Sequence, residues 1–134
     1  MEDQSRRTFL GIASLLPIAL GPQAPAQRPN NGELARYALA GPFEGFEAVA
    51  LELNFPPGAG GAHRHPGFVL GYVAEGRLRF TVNNEPEKIV SAGSTFLEPL
   101  GAVHTTNGSA NADGPARVVV FMVVPKGSAV VGPA

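Results

Sequence analysis

The chain has 134 residues, with 10 Lys and Arg against 11 Asp and Glu, a formal net charge of −1, and no cysteine. That length holds one domain, and the near balance of charge leaves no footprint for nucleic acid or an anionic membrane surface. Without cysteine there are no disulfides, thiolate metal sites or thiol nucleophiles.

Residues 1–26 read as a targeting segment. Its charged start carries the twin arginines Arg6 and Arg7, an apolar run "FLGIASLLPIALG" follows, and the small-residue site Ala24-Pro25-Ala26 ends it. The run is shorter than the roughly 20 residues of a membrane span, and Pro17 argues against a stable anchor helix. "SRRTFLG" resembles the twin-arginine translocation signal, whose route exports proteins already folded. The resemblance implies a periplasmic or extracellular protein beginning near Gln27, free of the membrane once the signal is removed.

Residues 27–45 form a lead-in, rich in Pro, Gly and Asn at its start, and a first strand. From Phe46 the hydrophobic period is two. "FEAVALELNF" sets Val49, Leu51 and Leu53 on one face, and "RLRFTV" sets Leu78, Phe80 and Val82 against Arg77, Arg79 and Thr81, whose arginines should meet water. Gly, Pro and Asn turn signals separate further short runs of strand composition, which leave no room for a helix. Many short strands so punctuated predict an all-β fold, a small antiparallel sandwich or barrel spanning 46–124. "ARVVVFMVV", Ala116 to Val124, is continuously apolar, so both of its faces should be covered. Tyr37, Phe43, Phe46, Phe55, Phe68, Tyr72, Phe80, Phe96 and Phe121 are mostly core candidates, two or three of which would line an apolar pocket. The tail, 125–134, frays or lies along the barrel.

Only three histidines occur: His63, His65 and His104. The first two are either a ligating pair or solvated neighbours in a glycine-rich loop. Alternation along a strand projects them from one face, and a neighbouring strand can bring His104 alongside. Three neutral imidazoles on one side of an ion leave the opposite positions open, which is a catalytic rather than a closed structural arrangement. No Ser-His-Asp set or phosphate-binding loop is apparent, because "GAGG" leads into a strand and not a helix.

These residues carry a family resemblance. "HRH" with "VAEG" ending at Gly76 resembles the first motif of the cupin superfamily, and Gly93, Pro99, Gly101 and His104 fall in register with the second. The resemblance covers about Phe46 to Val124 and implies a single-domain, type-2-like cupin barrel of the double-stranded β-helix or jelly-roll type. It also implies a divalent metal held by His63, His65 and His104, with Fe(II) favoured and Mn(II), Ni(II) or Zn(II) as alternatives. The glutamate ligand of the first motif should stand at Val69, or at Leu70 with the longer spacing, and neither side chain binds a metal. The site is then a neutral three-histidine one, or a carboxylate from elsewhere completes it, or the metal has been lost. Presence of all three histidines on cupin positions argues against loss.

Glu98, just before Pro99, is the candidate carboxylate: an acceptor orienting an imidazole N–H, a general base, a displaced fourth ligand, or a solvated turn residue. Asn107 is an inward polar group or a turn former, while Arg64 and Glu75 read as surface charges. The expected function is an exported Fe(II) dioxygenase-type enzyme on a small organic substrate. The alternatives are a redox-neutral lyase, decarboxylase or isomerase, and a non-enzymatic metal- or ligand-binding barrel. Folding before export would let the metal be chosen in the cytoplasm, away from copper and zinc. Edge strands in need of protection, and the habit of cupins, predict a homodimer.

Overall fold

A computed structural model describes residues 32–58 and 60–134. The twin-arginine segment lies outside the described residues. Ten strands run in order among the described residues: β1 (Glu33–Ala38), β2 (Phe46–Phe55), β3 (His63–Arg64), β4 (Phe68–Glu75), β5 (Arg77–Val82), β6 (Lys88–Ser91), β7 (Thr95–Glu98), β8 (Val103–Ser109), β9 (Ala116–Pro125) and β10 (Gly132–Pro133). A single 3-10 turn, Gly41–Phe43, is the only helical element among the described residues. The strands form two five-stranded antiparallel sheets, ordered β1-β2-β9-β4-β7 and β10-β3-β8-β5-β6. The all-β antiparallel class expected from the strand punctuation is thus present, built as two facing sheets.

Period-two alternation decides which side chains fill the space between the sheets. Val49 and Leu51 of β2, Val69 and Val73 of β4, and Val118, Val120, Met122 and Val124 of β9 enter it from one sheet. Leu78, Phe80 and Val82 of β5 enter from the other. Phe80 and Phe96 meet across the interior with ring centroids 4.7 Å apart. Gly71 makes this possible: it pairs with Phe96 across the β4–β7 ladder, and a Cβ there would lie 2.0 Å from that ring. Gly76, at φ +78°, makes the turn from β4 into β5.

Two packing expectations fail. Strand β9 is covered on one face only, and Phe121 on its outer face is 51% exposed. Most of the described aromatic residues are also outside the core: Tyr37, Phe43, Phe46, Phe68 and Tyr72 are exposed, Phe55 is partly buried against the core, and among the described residues only Phe80 and Phe96 are buried. The reason is parity. Once the valines of β4 and β9 occupy the inner face, the residues between them must point outward whatever their hydrophobicity.

Candidate metal centre

Strand β3 lies between β10 and β8, and its register sets His63 directly across from His104. Two residues on, His65 returns to the same face. The three rings form a cluster, with His63 centroids 4.8 Å from His65 and 5.0 Å from His104. One ring nitrogen from each lies within 4.8 Å of the others. The fold brings His63 and His65 into one cluster with His104.

Hydrogen bonding sets the tautomers. His63 Nδ1 lies 3.1 Å from the Gly61 carbonyl oxygen, and His65 Nδ1 lies 2.5 Å from that of Val130. A carbonyl oxygen only accepts, so each Nδ1 carries the proton and each Nε2 keeps its lone pair. Those two Nε2 atoms are 3.1 Å apart. Two lone pairs facing one another at that distance repel unless a cation lies between them. Desolvation, and secondarily the neighbouring His65 and His104, hold the pKa of His63 below the ordinary imidazole value, which disfavours a proton in that role.

Glu98 completes the arrangement. It is 3% exposed, and the β4–β7 register puts it directly opposite Val69. The seat where the first cupin motif would carry its glutamate therefore has a carboxylate beside it, delivered by the adjacent strand. Glu98 Oε1 accepts from His104 Nδ1 at 3.1 Å, which leaves His104 Nε2 as a third lone pair. That atom and Glu98 Oε2 are buried with no hydrogen-bond partner. Oε2 lies 3.6 Å from His65 Nε2, beyond hydrogen-bond reach. Buried polar atoms are rarely orphaned. A divalent cation among the three histidines would take the orphaned His104 Nε2 and separate the facing lone pairs, with the Glu98 Oε2 carboxylate oxygen left beside it, so the donor set fits a metal ion.

The cluster opens onto a cavity of about 290 Å³ whose walls are apolar: Leu51, Leu53, Phe55, Val69, Phe96, Val120 and Met122, with Val130 and Val131 from the segment after β9. Phe55 and Phe96 are the aromatic lining residues. Asn107, left undecided by sequence, faces this cavity with Oδ1 buried and unpartnered. Its backbone oxygen accepts from Gly60 N at 2.7 Å, and a Cβ at Gly60 would strike the Asn107 side chain. Arg64 is exposed, as is Glu75, which binds Arg117 at 2.6 Å. Sequence reasoning missed Val130 and Val131; their only signal is a β-branched pair in a tail that after Lys126 is otherwise Gly, Ser, Ala and Pro.

The cupin domain family matches residues 51–124, more than half of the chain. The chain belongs to the cupin family. Among solved structures, a Klebsiella pneumoniae protein with a double-stranded beta-helix domain superposes on this cupin with a TM-score of 0.53 at 19% identity, over 80% of this chain and 90% of that one. The structures of the DMSP lyases RdDddP and RnDddQII give a TM-score of 0.53 at 20% identity, over 66% of this chain and 44% of that one. An oxalate decarboxylase variant from B. subtilis gives 0.51 at 20%, over 67% of this chain and 24% of that one. At such identities the likeness is one of fold, and this cupin spans less than half of the lyase chain. No curated protein matches it.

Proposed function

We propose that this cupin is a metal-dependent enzyme of Fe(II) dioxygenase type acting on a small organic molecule. One observation carries the proposal. Three buried or half-buried imidazoles, each with Nδ1 held by a carbonyl or carboxylate oxygen, keep three Nε2 lone pairs at one end of an apolar cavity. His63, His65 and His104 would hold the ion. An ion bound by neutral ligands keeps its full charge and open positions, and supplies Lewis acidity and, as iron, a redox couple for dioxygen.

The chain's own residues do the rest. Leu51, Phe55, Phe96 and Met122 exclude water and accept an apolar body, while Glu98 Oε2 stands ready to take a proton. A substrate carrying two oxygen donors on a small apolar frame, such as a diketonate, catecholate or 2-hydroxy acid, matches both ends. Mn(II), Ni(II) and Zn(II) also suit three imidazoles, so elemental analysis of protein from its native compartment is the first measurement. Less than a tenth of an equivalent of any divalent metal after anaerobic reconstitution would sink the proposal.

A second reading, a redox-neutral lyase, decarboxylase or isomerase, is favoured by Glu98, because a buried carboxylate with a free oxygen beside the ligands is placed as a base. The lyases and the decarboxylase that share the fold are in keeping with it. Oxygen consumption during turnover separates the two readings, since the redox-neutral one uses none. Export through the twin-arginine route belongs to the same proposal, supported by Arg6, Arg7 and the apolar run after them. A product that keeps residues 1–26 and stays in the cytoplasm would remove it. The homodimer is likewise proposed, supported by the outer face of β4 and β9, where Leu70 and Phe121 pair and both are exposed.

A further inference from the structure

Resting on the metal-site reading above, we infer that residues 126–134 act as a strap that is a working part of the centre: it positions His65 and forms the cavity wall that admits metal and substrate. The segment is tied down at both ends. At its start, Gly127 N donates to Glu47 Oε2 at 3.1 Å, and that oxygen also takes Arg36 Nη1 at 2.7 Å. Ser128 closes the turn onto the Pro125 carbonyl with both its backbone N–H and its hydroxyl. At its far end β10 pairs with β3, Gly132 with Arg64 and Pro133 with His63.

Between the anchors, the Val130 carbonyl takes the His65 Nδ1 proton, 65 residues away in sequence, and so aims the Nε2 lone pair at the cluster. Val130 packs against the core, and Val131, half exposed, lines the same cavity as the histidines. A two-residue strand is a weak anchor beside the ten-residue ladder of β2 and β9. The strap is therefore the part of the wall that can open with the least loss of structure. Opening it would take the orienting carbonyl from His65 and uncover the cavity in one movement.

The test uses Co(II) as probe on the folded, metal-free protein, with uptake read by titration calorimetry and the visible spectrum, and release read by chelator. Two variants serve. The first deletes residues 129–134, which removes the Val130 carbonyl. The second is R64C/G132C, a registered pair on β3 and β10 in a chain without other cysteines, where a Cβ at Gly132 meets nothing within 4 Å.

The deletion should weaken Co(II) binding about 10–100-fold, as loss of a partner behind a ligating histidine does, and change the ligand-field bands. The oxidised pair should release Co(II) about tenfold more slowly than the reduced pair, with reduction restoring the wild-type rate. Equal release rates for the two redox states overturn the strap, even where the deletion fails to fold. So does a folded deletion that binds Co(II) within twofold of wild type. Full-length wild type that takes up no Co(II) overturns the metal site itself, and the strap with it.

Discussion

Replacing Glu98 with Gln removes one negative charge from the cluster while keeping side-chain volume and one acceptor oxygen. In the native site Oε1 holds the His104 Nδ1 proton at 3.1 Å, while Oε2 is buried without a partner 3.6 Å from His65 Nε2. The amide keeps the first contact as a neutral hydrogen bond of roughly half the strength. It also presents no charge to a cation. Loss of such a partner lowers metal affinity about 10–100-fold, or about 1.4–2.7 kcal/mol.

With metal in excess over both dissociation constants, metal-conferred stability falls by the same amount. For a domain near 100 residues that is roughly 6–20 °C less metal-induced rise in Tm. The metal-free protein should move the other way or not at all, because a buried carboxylate oxygen without a partner is costly and the amide is less so. Calorimetric melts with and without Co(II), beside a Co(II) titration, measure both arms. A Glu98→Gln protein with wild-type Co(II) affinity and a lowered metal-free Tm would make Glu98 a structural residue, and the reasoning would be refuted.

His104→Ala should leave less than about a tenth of the metal content and cost the apoprotein about 2–4 kcal/mol, since a buried ring is removed; elemental analysis and urea unfolding check the two effects. Val69→Glu sets two carboxylates across one rung of the β4–β7 ladder. The apoprotein should be strongly destabilised, and V69E/E98Q should regain both fold and metal, with a coupling of about 1–3 kcal/mol in a double-mutant cycle. Additive effects would mean the two seats are independent.

Hydrogen bonds from Arg36, and then from Gly127 N, hold the Glu47 carboxyl below its ordinary value of 4.5. Its contribution is therefore present above that value and lost as pH falls through the lowered one. The urea midpoint should fall more between about pH 7 and about pH 3 for wild type than for Glu47→Gln. Equal slopes would count against the anchor. Phe121→Ser on the outer face of β9 should turn a dimer into a monomer by light scattering without loss of metal, and a monomeric wild type would dispose of the dimer.

Strand periodicity was enough to read the all-β class, the inward faces of β2 and β5, and the pairing of His63 with His65 on one side. These follow from local geometry, because alternation within one strand assigns faces without reference to any other strand. Three histidines and two motif remnants pointed to the centre by their spacing. Glu98 was visible only as a choice between solvent and site.

Its burial is settled by register. Val69 and Glu98 become neighbours because β4 pairs with β7, a contact between residues far apart in sequence whose offset no local pattern encodes. Strap residues were illegible for the same reason, since Val130 meets His65 only once β10 has closed on β3. The exposed face of β9 departs from its composition because hydrophobicity reports the preference of a side chain for burial, whereas parity and the number of layers decide whether burial is available. Residue chemistry and period two assigned the ligands to a face. Pairing between distant strands decided what stands behind each ligand, what walls the cavity, and which apolar face is left uncovered.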